Sequence, residues 1–139
     1  MDQTIIFFLA AIIFVGALLL VFLGFLKQGT KKLDVEKYRA KCLMIEHQLI
    51  KDQPSSYHLS VLNADKLVDQ ALRERGIKGK TMGERMKNSV QLFSDRNGIW
   101  TAHKLRNQIA HETDIHITYD QARYALANFR KALKDLGAI

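Results

Sequence analysis

The sequence predicts an all-α protein, with one apolar helix at the N-terminus and then a bundle of four to five amphipathic helices. Three observations predict it. Ile5–Leu26 is a run of 22 residues with no charge and no proline. Beyond it, apolar side chains recur every three or four residues, the spacing of one helix face. The one stretch that alternates, Glu112–Thr118 with Ile115 and Ile117, has seven residues, too few to build a sheet.

The apolar run comes first. At 1.5 Å per residue it spans about 33 Å, enough for a bilayer core. A cleaved signal peptide is the competing reading, and three features argue against it. The leading MDQT carries no Lys or Arg, the run is too long, and no small-x-small cleavage site precedes Lys27. Lys27, Lys31, Lys32, Lys37, Arg39 and Lys41 follow the run, whereas no basic side chain precedes it. That asymmetry predicts a single-pass cell-membrane anchor with its N-terminus outside and the remainder in the cytoplasm. Residues 1–30 are then anchor and short linker, and residues 31–139 a single helical domain large enough for one modest core.

The helices follow in order. Thr30 or Asp34 caps the first of the domain, roughly Asp34–Asp52, with Tyr38, Cys42, Ile45 and Leu49 facing inward. Pro54 breaks it and suits the first turn of the next, about Pro54–Arg75, whose stripe is Tyr57, Val61, Ala64, Val68, Ala71 and Leu72. Thr81 with Glu84 reads as a capping box opening a third helix to about Phe93. Asp95–Gly98 reads as a turn, and a fourth helix carries Ile99–His111. Thr118 with Gln121 is a second capping box. It starts the last helix, Tyr119–Leu136, with Ala122, Leu126, Phe129, Leu133 and Leu136 inward and Gly137 as C-terminal cap.

Charge and cysteine usage narrow the function. The formal net charge is +7, and Asp2 and Lys27 cancel, so the whole excess lies in residues 31–139. A basic domain suggests RNA, DNA or anionic lipid as partner, with plain solubility as the alternative. Cys42 is the single cysteine, so no intrachain disulfide forms and nothing calls for an oxidising compartment.

The most informative residues lie in Trp100–Glu112. At 100° per residue, Ile99, Ala102, Leu105, Ile109 and Ala110 fill one apolar sector, with Arg106 near its centre. A guanidinium on such a face needs a partner. Asp65 or Asp69, beside the stripe of Pro54–Arg75, is placed to provide it. His111 lies about 140° round the helix from Arg106, near its C-terminus, where fraying lets it swing toward Arg106. Arg106, Asn107 and His111 thus make a phosphate site, and His103, one turn earlier, leans over the same cleft or packs as a half-buried structural group. The plainer alternatives are a paired core arginine and a C-terminal cap. A metal site from His103, His111 and His116 is disfavoured, since the first two stand about 12 Å apart along the axis. No cofactor is called for.

A helical bundle in which Arg106-Asn107-x-x-Ala110-His111 closes a late helix, followed by one more helix, resembles the HEPN domains. These are nucleotide-binding helical domains, many of them ribonucleases, whose motif is Arg, four to six residues, then His. The resemblance spans roughly residues 34–136 and rests on that motif. It implies Arg106 and His111 as catalytic residues, assisted by Asn107, in a metal-independent endoribonuclease whose two protomers line one cleft. The alternative it implies, ranked narrowly behind, is a non-catalytic RNA- or nucleotide-binding module. A helical dimerisation module beneath the membrane is the third reading. Thr113 stands where the toxin branch carries Tyr, so the tyrosine-based regulation of that branch is not implied.

Overall fold

The structure, a computed structural model, describes residues 2–26 and 31–139 and contains six α-helices. They are α1 (Gln3–Leu26), α2 (Val35–Gln48), α3 (Pro54–Glu74), α4 (Met82–Asn88), α5 (Arg96–His111) and α6 (Tyr119–Asp135), with a short 3-10 turn at Val90–Leu92. No strand occurs among the described residues. The chain divides into two compact units, Met1–Thr30 and Lys31–Ile139. Lys27 and Thr30, expected as linker and cap, lie outside the described residues.

α1 is long and apolar enough to cross a membrane, by length and composition. Its large side chains, from Ile5 to Leu23, are exposed within its own unit. In water that surface is costly, and hydrocarbon removes the cost.

In the second unit α3 is the central element, packed against α2, α4, α5 and α6, while α5 and α6 also pack on each other. The stripe of α3 foreseen from its spacing is wholly buried, as is that of α6. Asp34 caps α2 by accepting from the Lys37 amide at 3.1 Å. The Thr118–Gln121 box is complete, with reciprocal bonds of 2.8 and 3.2 Å. Gly137 ends α6 at φ +70°, a left-handed position that an L side chain enters only with strain. The Cys42 thiol is pushed up from its usual range, chiefly by burial and then by the neighbouring Glu46 carboxylate.

Several boundaries differ from expectation, each for a local reason. α2 stops at Gln48 rather than Asp52, because Ser56 Oγ accepts from the Ile50 amide at 3.0 Å in place of a helical carbonyl, while its own proton goes to the Gln53 carbonyl at 2.7 Å. Asp52 turns the chain at φ +65°, a conformation Asp tolerates. α4 ends at Asn88, where Ser89 Oγ donates to the Arg85 carbonyl, and the chain tightens into the 3-10 turn before buried Phe93. The Thr81 box is half formed. Thr81 accepts from the Glu84 amide at 3.2 Å, but the Glu84 carboxylate accepts from the Lys80 amide at 2.7 Å, not from Thr81.

Asp95–Gly98, expected as a turn, is instead the start of α5. Asp95 is its N-cap and accepts from the Gly98 amide at 2.8 Å. Gly98 stands inside the helix because α6 approaches there. A Cβ on it would overlap Asn128 Oδ1 and stand 2.7 Å from Asp95 Oδ2. Asn128 is buried and tied to the Tyr124 carbonyl at 2.9 Å, so it yields little. Gly98→Ala is therefore expected to destabilise the domain by about 1–3 kcal/mol, despite alanine's better helix propensity. A thermal melt at or above that of the unsubstituted chain would show that Asn128 swings clear.

Candidate functional site

The site is built where α3, α4 and α5 face one another. Asp65 on α3 is 3% exposed. A carboxylate that deep must find partners, and it finds two on α5. Its Oδ1 lies 2.7 Å from His103 Nδ1. Its Oδ2 lies 3.2 Å from Arg106 Nε, an ion-pair contact whose alignment falls short of a hydrogen bond. His103 and Arg106 are three residues apart, so one helix turn presents both to one carboxylate. Arg106 Nη1 then donates to Asn107 Oδ1 at 2.9 Å. Trp100 meets the His103 ring edge-on, with centroids 6.1 Å apart.

Asp69, one turn further along α3, does not pair with Arg106. It accepts from Arg85 Nε at 2.7 Å and Arg85 Nη2 at 3.0 Å, and it lies 2.8 Å from Arg73. Arg85 is 4% exposed and also donates to the Gly79 carbonyl. Sequence reasoning missed it. The signal was present, since Arg85 shares the inward face of α4 with Met82 and Met86, both buried.

These groups border one open cavity of about 980 Å³ between α3, α4 and α5. Arg106, Asn107, His111 and His103 all line it, so the structure brings the predicted residues around one space. Six Lys or Arg side chains (Lys66, Arg73, Lys80, Arg85, Lys87, Arg106) line it against three carboxylates (Asp65, Asp69, Glu84), an excess of three positive charges. His111 is the last residue of α5 and is exposed, with the following amide, of Glu112, bonded to the Gln108 carbonyl at 2.8 Å. His103, for which a half-buried place was expected, is buried. Ala110 is exposed rather than inward, because the buried sector of α5 is centred nearer Ala102 and leaves Ala110 on its rim. His116 does not reach the cavity lining. Among the described residues no three His, Cys, Asp or Glu converge as metal ligands.

Chemically the arrangement offers an open cleft with an excess of basic side chains, a guanidinium paired with a buried carboxylate, an amide and two imidazoles of unlike exposure. Guanidinium and amide N–H groups are donors of the kind that suit oxyanions, and imidazole is a side chain able to give or take a proton. Compared with known proteins, the chain matches no family model, no curated protein and no solved structure.

Proposed function

We propose that this chain is a membrane-tethered, HEPN-like endoribonuclease that needs no metal and works as a homodimer, its domain on the cytoplasmic side of the anchor. The observation that carries the reading is the convergence of Arg106, Asn107 and His111 on one basic cavity, with Arg106 held in place by buried Asp65. In this reading two copies pair so that their motifs line one cleft. The ribose 2′-hydroxyl attacks the adjacent phosphorus and the bond to the 5′-oxygen breaks. The products are a 2′,3′-cyclic phosphate and a 5′-hydroxyl end. Arg106 and Asn107 offer donors to the charge that builds on the phosphoryl oxygens, and exposed His111 transfers a proton. Confinement by α1 to a bilayer raises the effective concentration of the second copy.

A second reading is RNA or nucleotide binding without cleavage. It is favoured by Glu112 and Asp114, which are exposed beside His111 and repel a polyanion there.

One experiment separates the two. The full chain in detergent micelles is mixed with end-labelled single-stranded RNA in excess EDTA, beside Arg106→Ala and His111→Ala, each variant checked by circular dichroism. Cleavage to a cyclic-phosphate end is expected, falling by about 10²-fold or more in each folded variant. Salt-dependent binding without cleavage would establish the binding module instead. Neither binding nor cleavage would leave a helical assembly module.

A further inference from the structure

The Arg-x4-His spacing couples Arg106 to His111, but the structure couples Arg106 to a different histidine. Asp65 holds His103 through Oδ1 and Arg106 through Oδ2, so the imidazole and the guanidinium stand side by side on one carboxylate. The contact to Asp65 uses Nδ1, so in the neutral tautomer that donates to the carboxylate there, Nε2 carries the lone pair. Nε2 is on the cavity side of the ring. It lies 4.0 Å from where a Cβ on Gly83 would sit, and Gly83 and His103 both line the cavity. His103 Nε2 is not among the fully buried polar atoms that lack a partner, so it keeps some contact with the cavity. A buried carboxylate orienting an imidazole whose far nitrogen faces a cleft is the arrangement of a general base.

We propose that the Asp65–His103 pair is the proton acceptor of this cavity, acting on the 2′-hydroxyl at a phosphate held by Arg106. The inference rests on the ribonuclease reading. His103 Nε2 takes the 2′-hydroxyl proton as that oxygen bonds to phosphorus. The phosphorus–5′-oxygen bond breaks, and the 5′-oxygen takes a proton from a protonated His111. Within one chain His111 stands about 12 Å further along α5, so this donor comes from the second copy lining the cleft. The two imidazoles then exchange protons with water and return to their starting states.

The test uses the full chain in detergent micelles and two RNA oligomers. One has a normal linkage and the other carries sulfur in place of the bridging 5′-oxygen. A thiolate leaves without needing a proton, so the second substrate erases a missing acid but not a missing base. His103→Asn keeps an N–H toward Asp65 while deleting Nε2, and its melting curve reports the fold. Folded His103→Asn is expected to lose about 10²-fold or more on both substrates, whereas His111→Ala loses on the first and recovers on the second. Two results would overturn the proposal alone: His103→Asn within about threefold of the unsubstituted chain while His111→Ala is dead, or His103→Asn recovering on the sulfur substrate. An unsubstituted chain that cleaves neither oligomer overturns the ribonuclease reading, and this proposal with it.

Discussion

Asp65→Ala is expected to cost the helical domain about 3–5 kcal/mol, a fall in melting temperature well beyond about 10 °C for a domain of this size. The reason is what the carboxylate leaves behind. His103 and Arg106 Nε are both inside the bundle, and each loses the group that offsets its removal from water. The guanidinium itself is less committed, since about a third of the Arg106 side chain is exposed. Arg106→Ala is therefore expected to cost only about 1 kcal/mol, because Asp65 keeps its 2.7 Å bond to His103. The double variant should be less destabilised than the sum of the two, since the charge stranded by Asp65→Ala is then gone. Thermal melts of the four proteins, followed by circular dichroism, measure this. Strict additivity would show that Arg106 turns out to solvent and takes no part in the pairing.

The contrast also separates stability from function at the site. Arg106→Ala is predicted to fold while losing the guanidinium that the proposed function sets against phosphate, whereas Asp65→Ala is predicted to lose the fold as well. Only the former interprets a cleavage assay cleanly.

The helical order and most inward faces were legible because they follow from local spacing. Val61, Val68 and Leu72 on α3 and Phe129 and Leu133 on α6 are buried where a 3.6-residue period puts them. The caps at Asp34 and Thr118 were legible for the same reason, since each needs only a side chain three residues from an amide. What was not legible depended on contacts between distant elements. The sequence offers Asp65 and Asp69 equally to Arg106, four residues apart on one face. The choice is made by Arg85, which α4 carries to Asp69, leaving Asp65 for α5. The start of α5 was missed similarly. An Asp-x-x-Gly stretch favours a turn by local preference, but the approach of Asn128 requires glycine inside a helix. The site was legible as a set of residues and not as a network. Spacing placed Arg106, Asn107 and His111 on one helix, but the link from Arg106 to His103 runs through a carboxylate 38 residues away from that histidine.

The second large effect concerns the wall of the cavity that α4 forms, and it is asymmetric. Asp69→Ala is expected to cost about 3–5 kcal/mol, because it strands the Arg85 guanidinium inside the domain with the Gly79 carbonyl as its remaining partner. The reverse change is milder. In Arg85→Met an unbranched, flexible side chain takes the place of the arginine stem on the buried face of α4, beside Met82 and Met86. Asp69, less deeply buried, retains Arg73 at 2.8 Å and stays neutralised. A loss of only about 1–2 kcal/mol is expected there. Each variant removes one partner of the same ion pair, yet the costs differ because the deeper charge is the one that cannot recover its hydration. Urea unfolding of the two variants measures the order. If Arg85→Met proved the more damaging, the stabilising element would be the geometry of the two-point Arg85–Asp69 bond holding α4 to α3, rather than neutralisation of a buried cation. The cavity wall would then depend on that bond for its shape, and Arg85→Lys, which keeps the charge but loses the fork, would be as damaging as methionine.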